Sequence, residues 1–82
     1  MSKYLVEVYA PAPAELADVE ERVRRAAAES ASGRLRARYL RSILVPADEM
    51  CFHLFEASSA EAVRDAAQLA GLAYARIVEA VE

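Results

Sequence analysis

Met50-Cys51-Phe52-His53-Leu54-Phe55-Glu56-Ala57 decides how the rest of the chain must be arranged. A strand with one wet face alternates apolar and polar residues. Here Cys51, His53 and Phe55 point one way and Phe52 and Leu54 the other, and neither set is built for water. An unbroken apolar run of this length predicts a central strand buried on both faces. The remaining segments must therefore supply a cover on each side.

Size limits how that cover is made. The chain has 82 residues, 56% of them hydrophobic, and much of that share is alanine, which contributes little area per residue. It reads as a single domain, residues 1–82, with a marginal core that a partner subunit would help. No apolar run approaches the ~20 residues of a membrane span, and Met1-Ser2-Lys3-Tyr4 leads straight into a strand rather than a signal peptide. Cys51 has no second cysteine to pair with, so a reduced cytoplasm is the expected setting and no membrane is expected as partner. A net charge of −3 argues against a general nucleic-acid binder.

Outward from the central strand, the order of elements follows. Lys3 to Tyr9 reads as a strand, ended by Pro11 and Pro13, which cannot donate to a ladder. Leu16, Val19, Val23 and Ala26 or Ala27 form one apolar stripe at helical spacing. Acidic residues crowd the first half of that helix and Arg22, Arg24 and Arg25 follow, which suits the helix dipole. Gly33 is the expected stop. Arg34 to Val45 is a second strand whose first half carries Arg34, Arg36 and Arg38 on one face, the pattern of a protected edge. In its second half Arg41 interrupts the apolar parity of Leu35, Ala37, Tyr39, Ile43 and Val45. Pro46 to Glu49 makes a turn into the central strand. Ser58-x-x-Glu61 has the form of a capping box, Val63, Ala66, Ala67 and Ala70 make the stripe of a second helix, and Gly71 ends it. Tyr74 to Val81 is the last strand, with Ile77 and Val81 on one face and Tyr74, Val78 and Ala80 on the other.

The order β-α-β-β-α-β predicts an α+β, ferredoxin-like sandwich: a four-stranded antiparallel sheet with two helices on one face. Its other face, apolar over the first, third and fourth strands, is then bare. The simplest cover is a second copy packed sheet to sheet, a homodimeric α+β barrel.

With the elements placed, several motifs become recognisable. Tyr4-Leu5-Val6-Glu7, Arg41-Ser42-Ile43-Leu44, Phe55-Glu56-Ala57-Ser58-Ser59-Ala60-Glu61-Ala62, Ala70-Gly71-Leu72 and Arg76-Ile77-Val78-Glu79 span nearly the whole chain. Together they resemble the small bacterial domain-of-unknown-function family that includes a nickel-binding protein. The resemblance implies a ferredoxin-like domain that dimerises and, in some members, a metal site built on histidines. One such histidine would precede the serine of the second strand and another would lie in the second helix. Arg41 and Ala66 stand at those positions here, and neither is a ligand. Nickel binding is therefore not carried over.

The chemistry-bearing residues that remain are few. His53 and Cys51 share a face, so together they are the weak candidates for a metal, although a transition-metal site usually needs three or four ligands. A packed, hydrogen-bonded histidine is the plainer reading. Arg41 needs a carboxylate such as Glu7 or Glu56, or an anionic ligand, if it is buried. Nothing aromatic interleaves with Arg34, Arg36 and Arg38, so a single-strand nucleic-acid platform is not expected. Catalytic motifs are missing: no Gly-x-Ser-x-Gly, no Cys-x-x-Cys and no phosphate loop, and Ala10-Pro11-Ala12-Pro13 lacks the glycines an acylphosphatase loop needs.

Three readings follow. The first is a non-enzymatic, cofactor-free dimeric domain binding a small molecule or partner, with His53, Arg41, Tyr39 and Phe55 around its pocket. The second is a cofactor-free enzyme resembling the dimeric-barrel monooxygenases and polyketide cyclases, with His53 as acid or base. The third is a metal site rebuilt from His53, Cys51 and a carboxylate of either subunit.

Overall fold

The computed structural model describes residues 1–9, 15–31 and 36–81. The expectations for Pro11, Pro13, Gly33, Arg34 and Leu35 lie outside the described residues. The elements run β1 (Ser2–Tyr9), α1 (Leu16–Ala31), β2 (Ala37–Val45), a 3-10 turn (Pro46–Asp48), β3 (Met50–Ala57), α2 (Ala60–Leu69) and β4 (Tyr74–Ala80). The sheet is antiparallel in the order β2-β3-β1-β4. This is the ferredoxin-like βαββαβ sandwich.

β3 lies inside the sheet, as its apolar run requires, between β2 and β1. Register partners share a face, so the rows across the sheet can be read off directly. Ser42, His53, Val6 and Ile77 form one row, and Leu44, Cys51, Val8 and Tyr74 the next. These rows lie under the helices, where Val23, Ala26 and Ala27 of α1 meet Ala62, Val63, Ala66 and Ala67 of α2 in one buried cluster. Both apolar stripes read from the sequence are thus the packed faces. The many alanines let helices and sheet approach closely while burying little area each.

The opposite face carries Arg41, Leu54, Leu5 and Val78 in one row, and Ile43, Phe52, Glu7 and Arg76 in another. Leu54 is only 4% exposed yet stands apart from the helix-side cluster, because its own sheet neighbours surround it. Arg76 Nε donates to Glu7 Oε2 at 2.9 Å across the β1–β4 pair.

Two local features differ from the expected pattern. β2 gains one residue opposite β3, since Tyr39 pairs with Phe55 but Arg41 pairs with Leu54. The extra residue, Leu40, reverses the facing of everything after it. Ala37 and Tyr39 face the helices, whereas Arg41, Ile43 and Val45 face away. β4 shifts likewise, with Arg76 against Glu7 but Tyr74 against Val8, so Tyr74 and Ile77 both pack toward the core.

The ends of α2 also depart slightly from the sequence reading. Its cap is Ser59, whose Oγ accepts from the Ala62 N–H at 3.2 Å, so the Ser58–Glu61 capping box is replaced by a plain serine cap one residue on. At the other end Gly71 has φ 71°, Gly71 N–H donates to Gln68 O and Leu72 N–H to Ala67 O. That is the paired bonding of a Schellman stop, with the half-buried Leu72 closing it against the core. The turn after β2 is similarly fixed by Glu49 in the left-handed region, its N–H bonded to Pro46 O.

Candidate functional site

β2 and β3 place the candidate residues in adjacent rows, and the shift at Leu40 decides which of them meet. Before the shift, Tyr39 lies beside Phe55, ring centroids 5.6 Å apart and tilted by 58°. After it, Ser42 rather than Arg41 comes level with His53. Tyr39, Phe55, His53 and Cys51 therefore share the helix side, and Arg41 is exposed on the opposite side. The expected group of His53, Arg41, Tyr39 and Phe55 is not assembled, because one inserted residue divides it between two faces. Nor does Arg41 sit as a buried charge needing Glu7, which bonds Arg76, or Glu56, which is level with Arg38.

What the shift does assemble is a polar chain through the core. His53 Nδ1 lies 2.5 Å from Ser42 Oγ, and that oxygen lies 2.6 Å from Tyr39 Oη. Tyr39 Oη donates to Glu20 Oε2 of α1 at 3.4 Å, and Cys51 Sγ stands 3.9 Å from His53 Nε2. A carboxylate only accepts, so Tyr39 donates outward and its oxygen is left to accept from Ser42. Ser42 then accepts from Nδ1–H, and Nε2 offers its lone pair to the Cys51 thiol. One direction of donation satisfies every member, and no buried side-chain polar atom among the described residues lacks a partner.

The electrostatics agree with a neutral chain. Burial pushes the His53 pKa below its ordinary value, opposed by the Glu20 carboxylate. Burial pushes the Cys51 thiol up, with Glu20 adding to it. The Tyr39 phenol is also raised, first by burial, with Ser42 and Arg24 pulling the other way. His53, Cys51 and Phe55 are all sealed at 0% exposure. An imidazole in that position, bonded on both ring nitrogens, orders the core.

Among the described residues, two of the open clefts beside α1 are the larger ones. The larger, about 600 Å³, lies between the ends of β1 and α2 and the start of α1, lined by Val8, Val19 and Leu72 together with Glu15, Asp18 and Arg22. The smaller, about 380 Å³, lies between the second half of α1 and the edge strand β2. Arg24, Arg36 and Arg38 border it, and Ala28, Ala37 and Tyr39 form its floor. The Arg24 guanidinium sits 5.4 Å over the Tyr39 ring. Ser42, Glu20 and Arg24 went unnoticed as functional residues in the sequence. Ser42 alone left a trace there, as the polar residue in the apolar half of β2.

With this geometry in place, comparison with known proteins fixes the lineage. The model of the nickel-responsive SCO4226-like family matches residues 4–80. The chain belongs to the nickel-responsive SCO4226-like family. Its fold is similar to the crystal structure of SCO4226 from Streptomyces coelicolor A3(2), with a TM-score of 0.78 over 99% of this chain and 98% of that one, at 17% identity. At that identity the likeness is one of fold. Among curated proteins, none matches.

The family name raises the question whether the described residues suit a metal, and they do not. His53 Nδ1 is engaged by Ser42, and Nε2 has only Cys51 beside it. No group of three or more His, Cys, Asp or Glu is close enough among the described residues to hold an ion. A nickel or zinc centre draws on three or four such donors. Ala66 is sealed in the core, and Arg41 is exposed on the far face of the sheet. The two positions to which the resemblance assigns histidines are therefore separated by the sheet itself. No described helix is long and apolar enough to cross a membrane.

Proposed function

We propose that this member of the SCO4226-like family is a non-enzymatic binding domain that works as a two-fold homodimer, its copies packed through the open faces of their sheets. The observation carrying this reading is the composition of that face. Leu5, Leu54, Val78, Phe52 and Ile43 lie together at its centre, and Ile43 is 46% exposed. Lys3, Glu56 and Arg38 are level at one end, Glu7 and Arg76 share the row of Phe52 and Ile43 on the β1–β4 side, and Arg41 lies beside Leu54. An apolar centre with both signs of charge around it complements another copy of itself. Four strands at about 4.8 Å spacing and some eight residues long cover about 20 by 25 Å. Two such faces together reach roughly the 1,000 Å² that a specific interface has to clear.

Function is not routed through a metal or an acid–base step here. His53 and Cys51 lie under the helices, so a copy stacked on the open face meets neither. What SCO4226 does with nickel belongs to that protein.

Sedimentation equilibrium of untagged protein tests the reading beside Ile43→Glu, which places a charge at the face without disturbing the helix-side core. The wild type should sediment as a dimer at micromolar concentration and the variant as a 9.0 kDa monomer with an unchanged circular dichroism spectrum. A wild type that is monomeric at 100 µM removes the dimer. Stoichiometric nickel retained by the untagged protein after dialysis would restore a metal role.

A further inference from the structure

We infer that the cleft between α1 and the edge strand β2 is a binding site for a small organic carboxylate with a compact apolar body. It is formed within one chain, and Arg38 at its rim also borders the open sheet face.

The inference rests on how the two walls are built. β2 is an edge strand, so its outer flank is not paired with another strand of the sheet. Arg36, just before β2, and Arg38, within it, are two apart, both exposed and both lining the cleft. No described residue holds either in an ion pair. From the facing wall α1 contributes Arg24, which is held over the Tyr39 ring and is 3.6 Å from Glu21. Arg24, Arg36 and Arg38 thus all line a space of about 380 Å³, and no carboxylate among the described residues lines it. In a chain of net charge −3 this is a local reversal of sign. A guanidinium fork matches a carboxylate with two parallel hydrogen bonds, which an isolated ammonium cannot do.

The floor sets the remainder of the ligand. Exposed Ala28 and Met1 give the space an apolar lining, with buried Ala27 and Ala37 behind them, and Tyr39 adds a ring whose hydroxyl is already committed to Ser42 and Glu20. Such a surface gives a hydrated inorganic anion nothing beyond charge. It rewards an aryl or branched-alkyl group. The larger cleft offers no such selection, since Glu15 and Asp18 stand opposite Arg22 in it.

Three probes separate the parts of this claim: phenylacetate, benzyl alcohol with the same body and no charge, and inorganic phosphate with charge and no body. Each is titrated into the isotopically labelled full chain at low ionic strength, following the amides of Ala28, Ala37 and Tyr39 by NMR. Phenylacetate should shift these amides saturably, with each of the other probes at least tenfold weaker. Arg36→Gln/Arg38→Gln should weaken phenylacetate at least tenfold. Ala28→Phe, an exposed position whose new ring fills the cleft, should abolish the shifts while the rest of the spectrum is kept. Equal response to all three probes, no response to 10 mM phenylacetate, or binding that survives Ala28→Phe would each overturn the assignment.

Discussion

Ser42 holds more of the core together than its size suggests. Its hydroxyl donates to Tyr39 and accepts from His53, so removing it leaves the buried His53 Nδ1–H unpaired, while Tyr39 keeps its bond to Glu20. An unsatisfied buried donor costs about 1–3 kcal/mol. Ser42→Ala should lower unfolding stability by about 1–3 kcal/mol by urea titration at pH 7.5, whereas Ser58→Ala, on the surface, should change it by less than about 0.5 kcal/mol. A near-neutral Ser42→Ala would mean that the chain of hydrogen bonds is not formed. His53 makes a second prediction because it is the only histidine in the chain. Burial lowers its pKa in the folded protein, so the unfolded chain takes up a proton that the native state refuses. The unfolded state then binds more protons below its own pKa of about 6.5, and stability falls as pH drops through and beneath that value. The slope can reach about 1.4 kcal/mol per pH unit until the native His53 itself titrates. Urea midpoints between pH 7.5 and 5 should show this decline in the wild type and a flatter profile in His53→Gln. An equal slope in both would assign the pH dependence elsewhere.

At the level of elements, the sequence displayed what depends on period and hid what depends on one residue. The run from Met50 to Ala57 declared an inner strand because its two parities were both apolar, and the alanine-rich stripes declared which helix faces were packed. Gly71 declared its stop because few residues besides glycine settle at φ 71°. The extra residues Leu40 and Ala75 left no such mark, since an insertion in a ladder is a property of pairing with the neighbouring strand and not of residue type. Yet Leu40 alone determines that Ser42, and not Arg41, reaches His53. The candidate pocket was lost at that residue, while the helix-side trio of Tyr39, Phe55 and His53 kept its place. The serine at the start of α2 is a milder case, because Ser58 and Ser59 both suit a cap and only the backbone distinguishes them. Ser59→Ala should therefore cost about 1 kcal/mol, in contrast to the small effect set out for Ser58→Ala. At the other end Gly71→Ala should cost about 1–2 kcal/mol from backbone strain alone, for a Cβ there meets no atom within 4 Å.

For the molecule as a whole, the balance between core and surface turns stability into a question of concentration. The helix-side core is made chiefly of alanine and valine, with Phe55 and His53 as its fully buried rings among the described residues. Such a core leaves little reserve once chain entropy is met, and the apolar centre of the open face is area not yet withdrawn from water. If copies meet on that face, part of the free energy of folding is the free energy of association, and mass action makes the unfolding midpoint rise with protein concentration. For a dimer that unfolds directly to two chains, each tenfold increase in concentration adds about 1.4 kcal/mol. Urea titrations at 1, 10 and 100 µM should accordingly give three successively higher midpoints for the wild type. Ile43→Glu should unfold at one midpoint at all three concentrations, below every wild-type value, because the charged face no longer associates and only the single-chain core resists. Coincident wild-type curves would show that the two sheet faces do not contribute to folding, and the open face would then have to be explained without a second copy of the chain.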